Sequence, residues 1–181
     1  MGALTAMRPH LKTTSALLMA TSLLGGKSLA ANISINLTLP QIDTAEYHRP
    51  YVAVWLESAD RKTIRDVAVW FDMRKPNDEG KKWLKDLRQW WRLSGRYHDG
   101  PTNGVTGATR PVGTHTLHID TQSPELANLP AGQYELVVEA AREKGGRELV
   151  RLPLPWPVKP GDAQKQQGKT ELGAIEWRAQ P

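Results

Sequence analysis

The sequence predicts an all-β protein, an antiparallel sandwich of immunoglobulin-like type with one inserted amphipathic helix; a small β-barrel is the alternative architecture. Three observations lead there. Short β-branched and aromatic runs recur along the chain with turn-forming residues between them. Only one segment carries apolar residues at helical spacing. The regular alternation of strands and helices that marks a doubly wound fold is missing.

Taken in order, Ile33, Ile35, Leu37 and Leu39 alternate with polar residues and define a half-buried strand. Residues 40–50 connect it to two further strands, 51–57 (YVAVWLE) and 64–72 (IRDVAVWFD), which flank the turn-like stretch 58–62 and read as a hairpin or as neighbours. Both contain Val-Ala-Val-Trp, a match too short to define a repeat. Between Gly80 and Leu93, the residues Trp83, Leu84, Leu87, Trp90 and Trp91 recur at helical spacing, with Asp78 placed as an N-cap and Gly95 as a stop. Residues 97–113 are rich in Gly, Thr and Pro and read as a loop. His115 to Asp120 alternates again. Segments 133–141 and 147–154 flank Lys144-Gly145-Gly146, a hairpin signal. Pro153, Pro155, Pro157 and Pro160 then interrupt regular structure, so the sandwich domain is expected over 31–160. A polar C-terminal tail, 161–181, is expected to follow, with its stretch 162–169 mobile and 171–178 returning as a last edge strand.

The 181 residues suit one domain. There are no cysteines, which excludes disulfides, thiolate metal sites and cysteine nucleophiles. The formal charge of +5 invites a nucleic-acid reading, but the N-terminus accounts for much of it. Arg8, His10 and Lys12 form a basic leader without acids, Ser15 to Gly26 is apolar, and Ser28-Leu29-Ala30 is a small-x-small cleavage site. Residues 1–30 therefore read as a cleavable signal peptide, cut after Ala30, with Met7 an alternative start. The apolar run is too short for about 30 Å of hydrocarbon, so the mature chain is not expected to span a membrane. Removing Arg8, Lys12 and Lys27 leaves 21 basic against 19 acidic residues, a net of +2. No Lys/Arg stripe remains, and nucleic acid is not an expected partner.

The most informative stretch is Asn103-Gly104-Val105-Thr106-Gly107-Ala108-Thr109-Arg110-Pro111. By composition it is a turn, with Gly107 supplying a backbone angle other residues avoid. Its order, however, resembles the flavinylation motif Asp-x-x-Ser/Thr-Gly-Ala-Ser/Thr of periplasmic electron-transfer proteins. In those proteins a flavin transferase moves FMN from FAD onto the last hydroxyl as a phosphodiester. The resemblance makes Thr109 the FMN attachment point and matches Thr106, Gly107 and Ala108. Asn103 stands where the motif carries Asp, a departure that would slow modification if that acid orients the acceptor. An acceptor that enters another enzyme's active site calls for an exposed, flexible loop. Arg110 is then placed to offset the phosphodiester charge.

A wider likeness accompanies the motif. Val69-Trp70-Phe71, the helical Trp83-Leu84-x-x-Leu87-x-x-Trp90-Trp91, Leu129 to Tyr134, and Glu139 to Glu143 followed by Gly145-Gly146 resemble a periplasmic domain-of-unknown-function family found beside flavin transferases and PepSY-type membrane reductases. The resemblance covers roughly 40–175. It implies a periplasmic redox carrier rather than a stand-alone enzyme, taking electrons from a PepSY-type reductase to an extracytosolic acceptor such as a metal complex. The alternative is an unmodified immunoglobulin-like binding or accessory module of the periplasm, with a role in metal uptake as one form of it.

Other candidates are weaker. His115 and His118 fall on opposite faces of one strand, so a single metal would not reach both, and no metal site is assigned. His48 and His98 lie in loops without evident partners. No Ser/His/Asp order supports a hydrolase. Trp83, Trp90 and Trp91 have faces suited to a flavin, although docking of the helix on the sandwich is the simpler role, above all for Trp83. Glu139, Arg142, Glu143 and Arg147 read as a solvated surface, with Arg142 facing a phosphate as the functional alternative.

Overall fold

The computed structural model describes residues 1–2, 31–97 and 104–181. Residues 3–30 of the expected signal segment, His98 and Asn103 lie outside the described residues. Among the described residues nine strands form two sheets, neither closed into a barrel. They are β1 (Asn32–Leu39), β2 (Tyr51–Ser58), β3 (Ile64–Phe71), β4 (Thr106–Ala108), β5 (Gly113–Ile119), β6 (Gly132–Ala141), β7 (Arg147–Trp156), β8 (Ala163–Gln167) and β9 (Ala174–Gln180). One sheet runs β5-β1-β9-β8 and the other β4-β3-β2-β6-β7. Every pairing is antiparallel except that of β3 with β4.

Strand alternation decides the core. Ile33, Ile35, Leu37 and Leu39 of β1 face Val52, Val54 and Leu56 of β2, with Leu136, Val138, Leu152, Ile175 and Trp177 completing the inter-sheet layer. β2 is unusual because its outer face is buried too. Tyr51, Ala53 and Trp55 join Val69, Phe71, Val137, Leu87 and Trp90 in a second apolar cluster. This explains why residues 51–57 read as a continuous apolar run rather than an alternating one.

The cover over that second face is the helical insertion, but it is not one helix. It consists of α1 (Glu79–Lys82) and α2 (Arg88–Leu93), with single 3-10 turns at 76–78, 84–86 and 95–97. Asp78 is left-handed and makes no side-chain cap, so the expected N-cap is not formed. The helix breaks at Leu87, whose ψ of 69° is not helical. A buried acid accounts for the break. Glu139, 0% exposed on β6, accepts the backbone N–H of Trp90 at 2.8 Å and of Gln89 at 3.1 Å. These are N–H groups that a continuous helix would have used internally. Arg147 Nε donates to the same carboxylate at 2.6 Å. Leu87 and Trp90 dock the insertion as expected, and Trp90 fits because Gly95 has no side chain: a Cβ there would lie 2.5 Å from the Trp90 ring. Trp83 does not dock. It is 40% exposed.

The C-terminal segment is also more structured than expected. Residues 163–167 form strand β8 rather than a mobile stretch, and β9 lies inside its sheet, between β1 and β8. The last strand therefore contributes Ile175 and Trp177 to the main core and is not an edge. Two carboxylates pin the β8–β9 connection. Glu148 accepts the backbone N–H groups of residues 169–172, and Glu171 pairs with Arg142 at 3.0 Å while accepting Gly146 N–H at 2.8 Å. Arg142 and Glu139 are thus buried structural groups, not a solvated surface.

Candidate functional site

The Thr-Gly-Ala-Thr segment is an edge strand, not an open loop. β4 lies parallel to the end of β3, pairing Thr106 with Val69, Gly107 with Trp70 and Ala108 with Phe71. The backbone continues the ladder on both sides: Val69 N–H donates to Val105 O at 2.8 Å and Thr109 N–H to Phe71 O at 3.0 Å. Gly107 does not occupy a left-handed conformation. Gly104, with φ of 79°, supplies the turn instead. Gly107 lies against the Trp70 indole, and an added Cβ would meet it at an ordinary 3.4 Å.

Thr109 is 8% exposed, and its Oγ1 donates to the Pro50 carbonyl at 2.6 Å. The expected exposed acceptor on a flexible loop is therefore replaced by a hydroxyl that ties an edge strand to the entrance of β2. Arg110 turns to the other side, as alternation requires. Its guanidinium stacks over Trp70 at 5.3 Å from the ring centroid, on an indole whose other neighbour is the edge of His115 at 5.8 Å. Arg110 is thus not the cation beside Thr109.

The cations beside Thr109 come from elsewhere. Thr109 lines an open cleft of about 420 Å³ with Tyr47, His48, Arg49, Tyr51, Asp72, Arg74, Lys75 and Glu143. That size falls in the range of small-molecule sites. Three cations (Arg49, Arg74, Lys75) face two carboxylates (Asp72, Glu143), a net positive balance. Lys75 Nζ is bonded to Glu143 at 3.1 Å, which raises the lysine pKa and keeps it charged. Arg74 Nε is 3.7 Å from Asp72. His48 has acidic neighbours that its loop position concealed, Glu46 at 3.0 Å and Glu143 at 3.8 Å. Tyr51, 8% exposed, has an Oη with no well-formed hydrogen bond. Burial raises its pKa, while the nearby Asp72 backbone acts the other way. The phenol therefore stays protonated and is available as a donor.

Sequence reasoning singled out Thr109 and did not anticipate the residues around it. Pro50 and Tyr51 open β2, Asp72 to Lys75 follow β3, and Glu143 follows β6. Nothing local in the sequence marks them as neighbours; only the pairing of β3 with β4 and of β2 with β6 brings them together. His115 and His118 occupy opposite faces as expected, and the described residues contain no cluster of three or more groups able to hold a metal. No helix among the described residues is long and apolar enough to cross a membrane.

Fold and site together define a two-sheet β-sandwich with a polar, cation-lined cleft at the entrance of its central strand. The chain belongs to the family described as predicted periplasmic protein (DUF2271), whose model matches residues 32–174. No curated protein and no solved structure shows significant similarity to it.

Proposed function

We propose that this is a periplasmic electron-transfer protein carrying FMN as a phosphodiester on Thr109. The observation that carries the reading is the position of Thr109 directly after the Thr106–Ala108 strand, where it lines a cleft with Lys75, Arg49, Arg74 and Tyr51. A phosphate ester there would find a net positive lining, three cations against two carboxylates, and the Tyr51 hydroxyl nearby. Attachment joins Thr109 Oγ1 to the flavin-side phosphorus of FAD. The pyrophosphate bond breaks, AMP leaves, and the hydroxyl proton passes to a base of the flavin transferase. Once bound, the isoalloxazine supplies the redox chemistry, and the protein positions and tunes it.

The chain's own part begins with a rearrangement. An esterified Oγ1 has no proton to give Pro50 O, and two acceptors 2.6 Å apart repel. Thr109 must leave that carbonyl, which a three-residue edge strand paired on one side can permit more readily than a central one. A PepSY-type membrane reductase as donor, and a metal complex as extracytosolic acceptor, complete the reading. The Thr109–Pro50 bond favours a second one, in which the protein is an unmodified periplasmic accessory module and Thr109 is a structural staple.

Intact-mass measurement after co-expression with a flavin transferase separates the two. The first reading expects an FMN-sized increase that Thr109→Ala removes and Thr109→Ser keeps. An unchanged mass beside a transferase that modifies a known substrate refutes it.

A further inference from the structure

The insertion has two unlike sides. Leu87 and Trp90 turn inward onto β2, β3 and β6, and the opposite side meets solvent. With its lead-in, residues 73–97, it holds eight basic and three acidic residues, a net of +5. The rest of 31–181 holds 13 basic and 16 acidic residues, a net of −3. The near-neutral mature chain is thus a mildly acidic sandwich under a basic cover. Asp78 and Glu79 are paired with Lys81 at 3.0 Å and Lys82 at 3.6 Å. Lys85, Arg88, Arg92 and Arg96 are exposed and make no ion pair among the described residues.

The exposed apolar surface lies in the same place. Among the described residues from 31 onward, the exposed large hydrophobic side chains are Met73, Trp83, Tyr97 and Val112, and the first three belong to this segment. The backbone gathers them. Gly80 presses on the Asp72 carbonyl, where a Cβ would stand 1.9 Å from the oxygen, so Met73 lies beside α1. The turn at 84–86, next to Trp83, packs against the turn at 95–97 that carries Tyr97. The Arg96 guanidinium lies over the Tyr97 ring, 4.7 Å from its centroid. Cations on long apolar stems beside exposed indole and phenol rings suit a lipid headgroup layer. A protein partner is a poorer match, because lysine is depleted where proteins meet, and Lys81, Lys82 and Lys85 flank Trp83 here.

We propose that the outer side of residues 73–97 docks on an anionic phospholipid surface, with Trp83 and Tyr97 at headgroup level and Lys85, Arg88, Arg92 and Arg96 against the lipid phosphates. The attachment is peripheral, carried by charge and by aromatic side chains at the interface. It does not depend on the reading of Thr109, and neither result decides the other.

The test uses the full mature protein and vesicles of pure phosphatidylcholine or of phosphatidylcholine with about 40% phosphatidylglycerol. Sedimentation should show binding to the anionic vesicles alone, weakened at least about tenfold between roughly 0.1 and 0.5 M salt. Lys85→Ala, Arg88→Ala and Arg96→Ala should each weaken it about fivefold, and the triple variant about a hundredfold. Lys165→Ala, on the edge strand β8, should leave it unchanged. These side chains are exposed, so the variants should keep the parental unfolding midpoint. Brominated phosphatidylcholine in the anionic vesicles should quench tryptophan fluorescence. Trp83→Phe should remove most of that quenching, since Trp55, Trp70, Trp90, Trp156 and Trp177 are buried. Equal binding to neutral and anionic vesicles, no binding to the anionic ones at low salt, or quenching that survives Trp83→Phe would each overturn the proposal. Binding of poly-glutamate without binding of vesicles would overturn it too, and would make the patch a surface for an acidic protein.

Discussion

Replacing Glu139 with alanine should loosen the insertion that carries Trp83 and Lys75. The carboxylate is fully buried and accepts Trp90 N–H at 2.8 Å, Gln89 N–H at 3.1 Å and Arg147 Nε at 2.6 Å. Removing one partner of a buried charged pair costs about 3–5 kcal/mol, and hydrogen bonds to a charged acceptor contribute about 1.5–3 kcal/mol each. Arg147 is 35% exposed, so water replaces part of what it loses. The expected loss is therefore near the lower bound, about 3 kcal/mol, a large share of the roughly 5–15 kcal/mol that holds a domain together. At this chain length that lowers Tm by about 6–12 °C. Urea unfolding followed by tryptophan fluorescence measures it, and native-state hydrogen exchange should show residues 88–93 opening first. Arg147→Ala leaves the buried Glu139 carboxylate without its counter-ion and should also cost about 3 kcal/mol, but both backbone donors keep their acceptor, so residues 88–93 should not open early in that variant. A loss below about 1 kcal/mol in Glu139→Ala, or equally early opening of residues 88–93 in both variants, would refute the view that this acid breaks and caps the helix.

Three other outcomes follow from the same geometry. Thr109→Val should cost about 1–2 kcal/mol in a denaturant titration, because Pro50 O loses its donor in a buried place. Gly107→Ala should leave Tm within about 1 °C, since the added methyl meets Trp70 at van der Waals distance; any fall in FMN loading then reports the transferase's need for glycine and not the fold's. Glu148 is opposed by its own burial, yet the backbone donors of Thr170, Leu172 and Lys169 bring its pKa below the ordinary 4.5. A lowered carboxyl pKa stabilises the folded state above the unfolded value and loses that contribution as pH falls through the folded one. Thermal stability should therefore decline below about pH 4.5, and less steeply in Glu148→Gln.

How much the sequence disclosed depends on where each signal is local. Strands β1, β2, β3, β6 and β7 were legible because their apolar spacing and turn residues lie within a few positions of one another. The insertion was legible as helical and as docked through Leu87 and Trp90, but not as broken, because the group that breaks it comes from β6. The parallel pairing that turns the Thr-Gly-Ala-Thr loop into a strand also depends on a distant partner, the end of β3. So does the interior position of β9: its apolar residues were visible, but its neighbours β1 and β8 were not. At the candidate site the motif pointed to Thr109, whereas Tyr51 looked like a core residue and Lys75 like a turn residue. Arg110 was misplaced by adjacency in sequence, since neighbouring residues on an extended chain point apart. The tryptophan excess is now largely accounted for: Trp55, Trp70, Trp90, Trp156 and Trp177 are buried, and only Trp83 is substantially exposed.

The two-sided burial of β2 gives the cleft at Thr109 unequal walls. Tyr51 and the Pro50 carbonyl belong to a strand gripped by both apolar clusters, so that side behaves as a fixed jaw. Thr109 follows a three-residue edge strand. That side is the compliant jaw. Any group attached at Thr109 should therefore be accommodated by movement of the edge strand, while Tyr51 and the Pro50 carbonyl keep their places.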